Sequence, residues 1–164
     1  MNGAFKDEDF PVEIKDCKYG KCAVASRELP ENTAVGFFKG PVVKEKDVPE
    51  EEIRNVLIID KGLFCIPKTN ARYFNHSCNP NCVLDYDCVI RTLRSVKSGE
   101  ELTYSYNMVF YEELEDGGPE DVEFEEWDPR WNFKCMCGSP NCQGMVDKWI
   151  MEDGKPYKRN QYKK

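Results

Sequence analysis

Three cysteines near the C-terminal end, in Cys135-Met136-Cys137-Gly138-Ser139-Pro140-Asn141-Cys142, form a C-x-C-x4-C array in which Gly, Pro and Asn can turn the chain so that the thiolates converge. Zinc takes four ligands at about 2.3 Å in a tetrahedron, so this array is one ligand short. The plainer alternative is three unligated thiols in a loop, but cysteine prefers burial and a Gly-Ser-Pro-Asn loop is a poor place to bury three. The groups that could complete the set are Cys17, Cys22, Cys65, Cys78, Cys82, Cys88 and His76, and spacing does not choose among them.

A second concentration of reactive types is Ala71-Arg72-Tyr73-Phe74-Asn75-His76-Ser77-Cys78-Asn79-Pro80-Asn81, around the only histidine of the chain. His76 and Cys78 are two apart and could share a strand face as a base and nucleophile pair. Pro80 and the three asparagines favour turns instead.

The stretch from Arg72 to Asn81 resembles the R-F-x-N-H-S-C-x-P-N signature of SET-domain protein lysine methyltransferases. Gly99-Glu100-Glu101-Leu102-Thr103-Tyr104-Ser105-Tyr106 is similar to their G-E-E-L-T-[YF]-D-Y signature, and the cysteine array to their post-SET motif. Tyr19-Gly20-Lys21-Cys22-Ala23-Val24 resembles the earlier G-x-G-V motif, so the likeness covers residues 12–149 in family order. It implies a mainly β (β+α) SET-domain fold of short twisted sheets, with a C-terminal pseudoknot beside the Asn-His-Ser-Cys segment and a zinc-stapled post-SET segment. It also implies the fourth zinc ligand: Cys78 would join Cys135, Cys137 and Cys142.

By the same resemblance, Gly20, Lys21 (chiefly its backbone), Arg72, Tyr73, Asn75 and His76 line a pocket for S-adenosyl-L-methionine, with Phe133 and Met136 covering the adenine. Core packing is the plainer role for Tyr73, Phe133 and Met136. Tyr106 matches the catalytic tyrosine, at the place where methyl carbon, sulfur and lysine nitrogen align, so that positioning supplies most of the acceleration. The attacking lysine must be neutral, and at its unperturbed pKa only on the order of one molecule in a thousand is ready at pH 7. A narrow, dry channel beside the sulfonium lowers that pKa without a dedicated base. Tyr104 stands where relatives carry Phe or Tyr, and its hydroxyl leaves less room for a methylated ammonium, which favours mono- or dimethylation.

Three departures from the family pattern stand out. Cys22 replaces a glycine where the backbone approaches the cofactor, Ser105 replaces the usual Asp between the two tyrosines, and residues 55–60 lack the tyrosine often found before the signature.

The elements that must position these groups read as many short strands, from apolar clusters at 22–25, 34–38, 63–66, 82–84, 88–93 and 102–106. Turns fall at Pro30-Glu31-Asn32, Lys39-Gly40-Pro41, Asp85-Tyr86-Asp87 and Lys97-Ser98-Gly99, with Gly99 available for a positive φ. The one helix expected in the first half is 49–57, with acidic residues in its first turn. The 164 residues suit one domain. The expected division is a SET domain at 12–107, an acidic connecting segment at 108–131, a post-SET zinc segment at 132–150 and a basic tail at 151–164, frayed over its last ten residues, 155–164.

Charge narrows the partners. A net charge of −7 argues against binding nucleic acid through phosphates and favours a basic protein or peptide, with a histone tail among the candidates. Residues 112–128 hold ten carboxylates and no Lys or Arg, so they either steer a basic tail to the substrate entrance or serve as a solvated linker. The acidic start lacks an apolar signal region, no apolar run exceeds four residues, and nine cysteines make an odd count. These features lead to the expectation of an intracellular protein, nuclear or cytoplasmic, with reduced thiols and neither a signal peptide nor a transmembrane segment. Two rival readings are a non-catalytic SET module that holds a basic partner, and a zinc-stapled interaction domain whose motif likeness is accidental.

Overall fold

Among the described residues, short apolar runs form strands, joined by 3-10 turns rather than α-helices. The computed structural model describes residues 5–18, 20–60, 63–85, 87–106, 133–142, 144–146, 149–152 and 155–158. The acidic segment 112–128 therefore lies outside the described residues.

Among the described residues fourteen short strands follow one another: β1 (Val12–Cys17), β2 (Gly20–Ala25), β3 (Ala34–Phe37), β4 (Val42–Lys44), β5 (Leu57–Asp60), β6 (Leu63–Cys65), β7 (Asn75–His76), β8 (Cys82–Leu84), β9 (Val89–Thr92), β10 (Thr103–Tyr104), β11 (Phe133–Lys134), β12 (Met145–Val146), β13 (Trp149–Glu152) and β14 (Lys155–Lys158). They make two three-stranded sheets, β3-β9-β8 and β4-β6-β5, and four two-stranded pairs. The mainly β expectation holds, and all six predicted strand clusters contain a strand. β1, β4, β5, β7 and β11 to β14 add strands that the apolar clusters do not mark.

Two expectations are corrected. Residues 49–57 form no α-helix: a single 3-10 turn covers Glu50–Glu52, and Leu57 already belongs to β5, paired with Cys65. Glu52 is drawn inward to the Arg72 guanidinium at 3.0 Å, and the strand pairing claims the end of the segment before a second turn can form. The basic tail is not frayed at its start, because Lys155–Lys158 pairs antiparallel with Trp149–Glu152. The backbone hydrogen bonds of that hairpin supply order that its composition does not suggest.

The core gathers Ala23, Leu29, Val35, Phe38, Phe74, Ile90, Val96 and Leu102, all at most 2% exposed. It lies against the strands that carry both signatures, so their backbones are fixed by buried contacts. Asn32 and Gly99 take positive φ at the predicted turns. At the Asp85 turn one carboxylate oxygen accepts the amides of Asp87 and Val89, and the other accepts Nε of Arg91. That capping holds Cys88 in left-handed backbone at φ 63°. Gly40 is required by close approach, since a Cβ there would meet the Ile66 carbonyl oxygen at 1.8 Å.

Candidate functional site

The two signatures meet through one parallel strand pair: β10 runs beside β7, with Thr103 opposite Asn75 and Tyr104 opposite His76. Asn81 staples the crossing. Its amide nitrogen donates to the Glu101 carbonyl at 2.8 Å and to Glu100 Oε2 at 3.2 Å, while its Oδ1 accepts the Thr103 amide at 2.9 Å. The side chain is 3% exposed, so these bonds replace water rather than compete with it. From the other side β2 joins in, because the Leu102 amide donates to the Ala23 carbonyl and the Ala25 amide to the Glu100 carbonyl.

Tyr106 lies just beyond β10. Its hydroxyl donates to the Phe74 carbonyl at 2.6 Å and its amide to His76 Nδ1 at 3.0 Å. Burial, helped by the nearby Glu101 charge, pushes the phenol well above its usual value, so it remains an O–H donor throughout the alkaline range. Tyr104 packs against it with ring centroids 4.9 Å apart and meets Phe38 edge-on at 6.2 Å. The Tyr104 hydroxyl is buried and has no hydrogen-bond partner among the described residues. Phe133 of β11 meets Tyr106 edge-on at 6.4 Å, and the Arg54 guanidinium carbon stands 5.0 Å over the Phe133 ring. An aromatic wall that already attracts one cation results.

Around Asn75, the amide nitrogen donates to the Lys21 carbonyl at 3.2 Å and to Glu101 Oε2 at 3.1 Å, while its Oδ1 accepts nothing among the described residues. Lys21 thus contributes its backbone here, and its ammonium turns outward to Asp16 at 2.7 Å. Gly20 opens β2 at φ 112° with free space where a Cβ would stand. The Cys22 thiol is buried beside Cys17, and burial pushes it up to about 12. The Arg72 guanidinium is occupied by Glu52 and by the Pro67 carbonyl at 3.3 Å, and its carbon lies 5.9 Å over the Tyr73 ring. Arg72 and Tyr73 therefore buttress the segment next to Asn75, and Met136 is 52% exposed.

The cysteine array lies on a loop closed by the antiparallel pairing of β11 with β12 and by the Cys135 amide donating to the Gly144 carbonyl at 2.9 Å. Gly138 takes φ 72° inside it, and the Cys142 amide closes a turn onto the Ser139 carbonyl at 3.0 Å. The sulfurs of Cys78, Cys135, Cys137 and Cys142 all lie within 4.8 Å of one another, with Cys78 and Cys135 at 3.7 Å. A tetrahedron with 2.3 Å bonds has edges of about 3.8 Å, whereas a disulfide needs about 2.05 Å. Burial pushes the Cys135 thiol up, while at Cys137 hydrogen bonds from Ser139 and from backbone amides outweigh burial and bring it down to about 6. The donor set fits a tetrahedral thiophilic cation such as zinc. Of the seven open candidates for the fourth ligand, Cys78 is the one that joins the array. Cys82 is a buried thiol pushed up to about 12.

Several residues at this site carry no distinct mark in the sequence. Glu101 receives Asn75, Arg54 covers Phe133, and Asn81 joins the two signatures. The paired carboxylates Glu100-Glu101 and the asparagine ending the first signature are the only traces of this.

The SET-domain family profile matches residues 20–107. A histone-lysine N-methyltransferase described as H3 lysine-36 specific, from Gibberella zeae, is 33% identical over 152 residues, covering 81% of this chain and 15% of the relative. The histone-lysine N-methyltransferase trr of Drosophila melanogaster is 37% identical over 145 residues, covering 77% of this chain and 5% of that protein. The chain thus spans only a small part of the length of these relatives. A crystal structure of KRYPTONITE with mCHG DNA and SAH superposes with a TM-score of 0.57 at 25% identity, over 84% of this chain and 29% of that one. A further KRYPTONITE structure, with mCHH DNA, an H3(1-15) peptide and SAH, gives 0.57 at 26% identity, over 84% and 30%. With the family profile covering more than half its length and the strand crossing of both signatures in place, the chain belongs to the SET-domain family.

Proposed function

We propose that the chain transfers a methyl group from S-adenosyl-L-methionine to the ε-amine of a lysine in a basic protein, a histone tail being the first substrate class to test, and that it adds one or two methyl groups. The observation that carries this reading is the parallel pairing of β7 with β10, beside which the half-buried Tyr106 donates its hydroxyl to the Phe74 carbonyl, next to Asn75. Relatives named as histone-lysine methyltransferases, and KRYPTONITE structures containing SAH and an H3 peptide, support it.

S-adenosyl-L-methionine, when bound, supplies a methyl carbon on a cationic sulfur. In this reading Gly20 leaves room for the cofactor, the Lys21 backbone and Asn75 Oδ1 hold its polar end, and His76 lines the same pocket. Phe133 and Met136 cover the adenine, and Arg72 and Tyr73 support the pocket from behind. Tyr104 and Tyr106 present π faces to the two cations that meet there, the sulfonium and the incoming ammonium. The Tyr104 hydroxyl, without a hydrogen-bond partner among the described residues, would meet the lysine nitrogen and leave little room for a third methyl. Cys78, Cys135, Cys137 and Cys142 would hold zinc, which pins Phe133 and Met136 over the pocket. The division into residues 12–107, an acidic connector at 108–131, a zinc segment at 132–150 and a basic tail from 151 belongs to this reading, as does action in the nucleus or cytoplasm. No helix among the described residues is long and apolar enough to cross a membrane.

Calorimetry with S-adenosyl-L-methionine on the zinc-loaded chain tests the reading: binding heat is expected, and its absence leaves a module that only holds a basic partner. Because Tyr106 remains protonated, the rate should rise with pH through the alkaline range as substrate lysine loses its proton, towards its ordinary pKa near 10.4. A flat profile between pH 7 and about 9 contradicts a lysine deprotonated without a dedicated base.

A further inference from the structure

We infer that His76 is a positioning residue that ties the thiolate cluster to the backbone of Tyr106. A backbone amide can only donate, so His76 Nδ1, 3.0 Å from the Tyr106 amide, must be the acceptor. A neutral imidazole carries one proton, which therefore sits on Nε2, and Nε2 faces Cys78 Sγ at 3.3 Å. A metal-bound sulfur is a thiolate and an acceptor. Both neighbours thus select the same tautomer. The ring is 9% exposed and packs edge-on against the Tyr106 ring at 5.4 Å, which limits its freedom to turn towards water.

The tie matters because of where the strand pairing stops. β10 ends at Tyr104, whose carbonyl accepts the Ser77 amide, so the ladder with β7 fixes the chain only that far. Two residues later, the imidazole of His76 is what receives the Tyr106 amide. With a metal bound, Cys78 Sγ is an anionic acceptor at a fixed point, and the ring and the Tyr106 amide are fixed with it. Without a metal the sulfur loses its anchor and so does the ring. Occupancy of the cysteine cluster is thereby transmitted to the tyrosine through one side chain. The consequence for catalysis rests on the methyl-transfer reading above, but the hydrogen-bonded tie does not.

His76 is the only histidine in the chain, so its ring nitrogens are unambiguous by NMR in the whole, isotope-labelled protein. The expected signature is a bare Nδ1 and a protonated Nε2. With an NMR-active cadmium isotope in place of zinc, a scalar coupling should appear between the metal and the Nε2 proton. Removing the metal should abolish that coupling and shift the Tyr106 amide resonance. His76→Asn keeps an acceptor near the Nδ1 position and deletes the donor to sulfur. It is expected to weaken metal binding roughly 10- to 100-fold, uncouple the Tyr106 amide from the metal, and lower kcat. A proton on Nδ1, no coupling to cadmium, or a Tyr106 amide indifferent to metal in the unmodified chain overturns the inference. A chain that shows the NMR signature without methyl transfer upholds the tie and overturns the proposed function alone.

Discussion

The crossing of the two signatures and the cysteine loop are held together by different means. At the crossing, the Asn81 staple, the β7–β10 ladder and the β2 bridges are all made by the protein itself, around residues such as Leu102 and Phe74 that are 0% and 1% exposed. The loop at 133–142 has the short β11–β12 pair, an Asn141 amide on the Cys78 carbonyl at 3.1 Å, and four converging sulfurs. Folding alone completes the first region, while the second gathers four sulfurs that a cation would bind as thiolates in the proposed reading. The region that would orient the nucleophile is thus permanent, and the region that would cover the cofactor is conditional.

Breaking the conditional region should have the largest effect on activity and little on the body. Cys137→Ser, or removal of zinc by a chelator, is expected to lower methyl transfer on the order of a hundredfold, since loss of positioning alone reaches that size. Thermal unfolding of the body should shift little. A matching collapse of the main transition in circular dichroism would show that the two regions are not separable.

Breaking the permanent region should do the reverse to stability. Asn81→Ala leaves the Glu101 carbonyl and the Thr103 amide without their buried partner and is expected to cost about 2 kcal/mol in chemical denaturation. A cost near zero means that the staple is not what holds the signatures together.

A smaller effect sharpens the same comparison through pH. The Arg94 guanidinium beside Glu100, helped by the Lys97 amide and Asn81 against burial, holds its carboxyl at about 2 instead of 4.5. A depressed carboxyl stabilises the fold above its unfolded value and loses that contribution as pH falls through its folded one. After allowance for solvent around this partly exposed pair, Glu100→Gln should cost about 1 kcal/mol at neutral pH. The difference from the unmodified chain should vanish as pH falls from 4.5 towards 2, as urea unfolding across that range would reveal. A pH-independent difference contradicts the assignment.

The smallest effect is on product rather than rate. Tyr104→Phe deletes a buried hydroxyl without a partner among the described residues, so stability should hold within about 0.5 kcal/mol. Mass spectrometry of the product should then show more of the higher methylation state. An unchanged distribution places the control of methylation elsewhere.

Much of this was legible in the sequence where a group's role depends on near neighbours. Gly99 and the Pro30-Glu31-Asn32 turn announce themselves by type, and the C-x-C-x4-C spacing announces three convergent thiolates before any fold is known. Spacing leaves the fourth sulfur open, because Cys78 reaches the array across 57 residues of chain through the strand crossing, a long-range event that only the likeness to the SET family singles out. The helix expected at 49–57 fails for the same reason. Its acidic first turn is a local signal, but Glu52 answers to Arg72, 20 residues away, and Leu57 to Cys65. Asn81 and Glu101 stand inside the two signatures, but that they join them shows only when β10 is laid beside β7.

In the proposed reaction Tyr106, fixed at the crossing, governs methyl transfer. Its most direct test is a mass-resolved transfer assay on histones and basic peptides with the zinc-loaded chain and its Tyr106→Phe variant, each checked for binding of S-adenosyl-L-methionine. Tyr106→Phe should retain cofactor binding and lose on the order of a hundredfold or more in rate, because the hydroxyl on the Phe74 carbonyl is removed while the aromatic wall remains. Equal rates for the two chains would contradict the account.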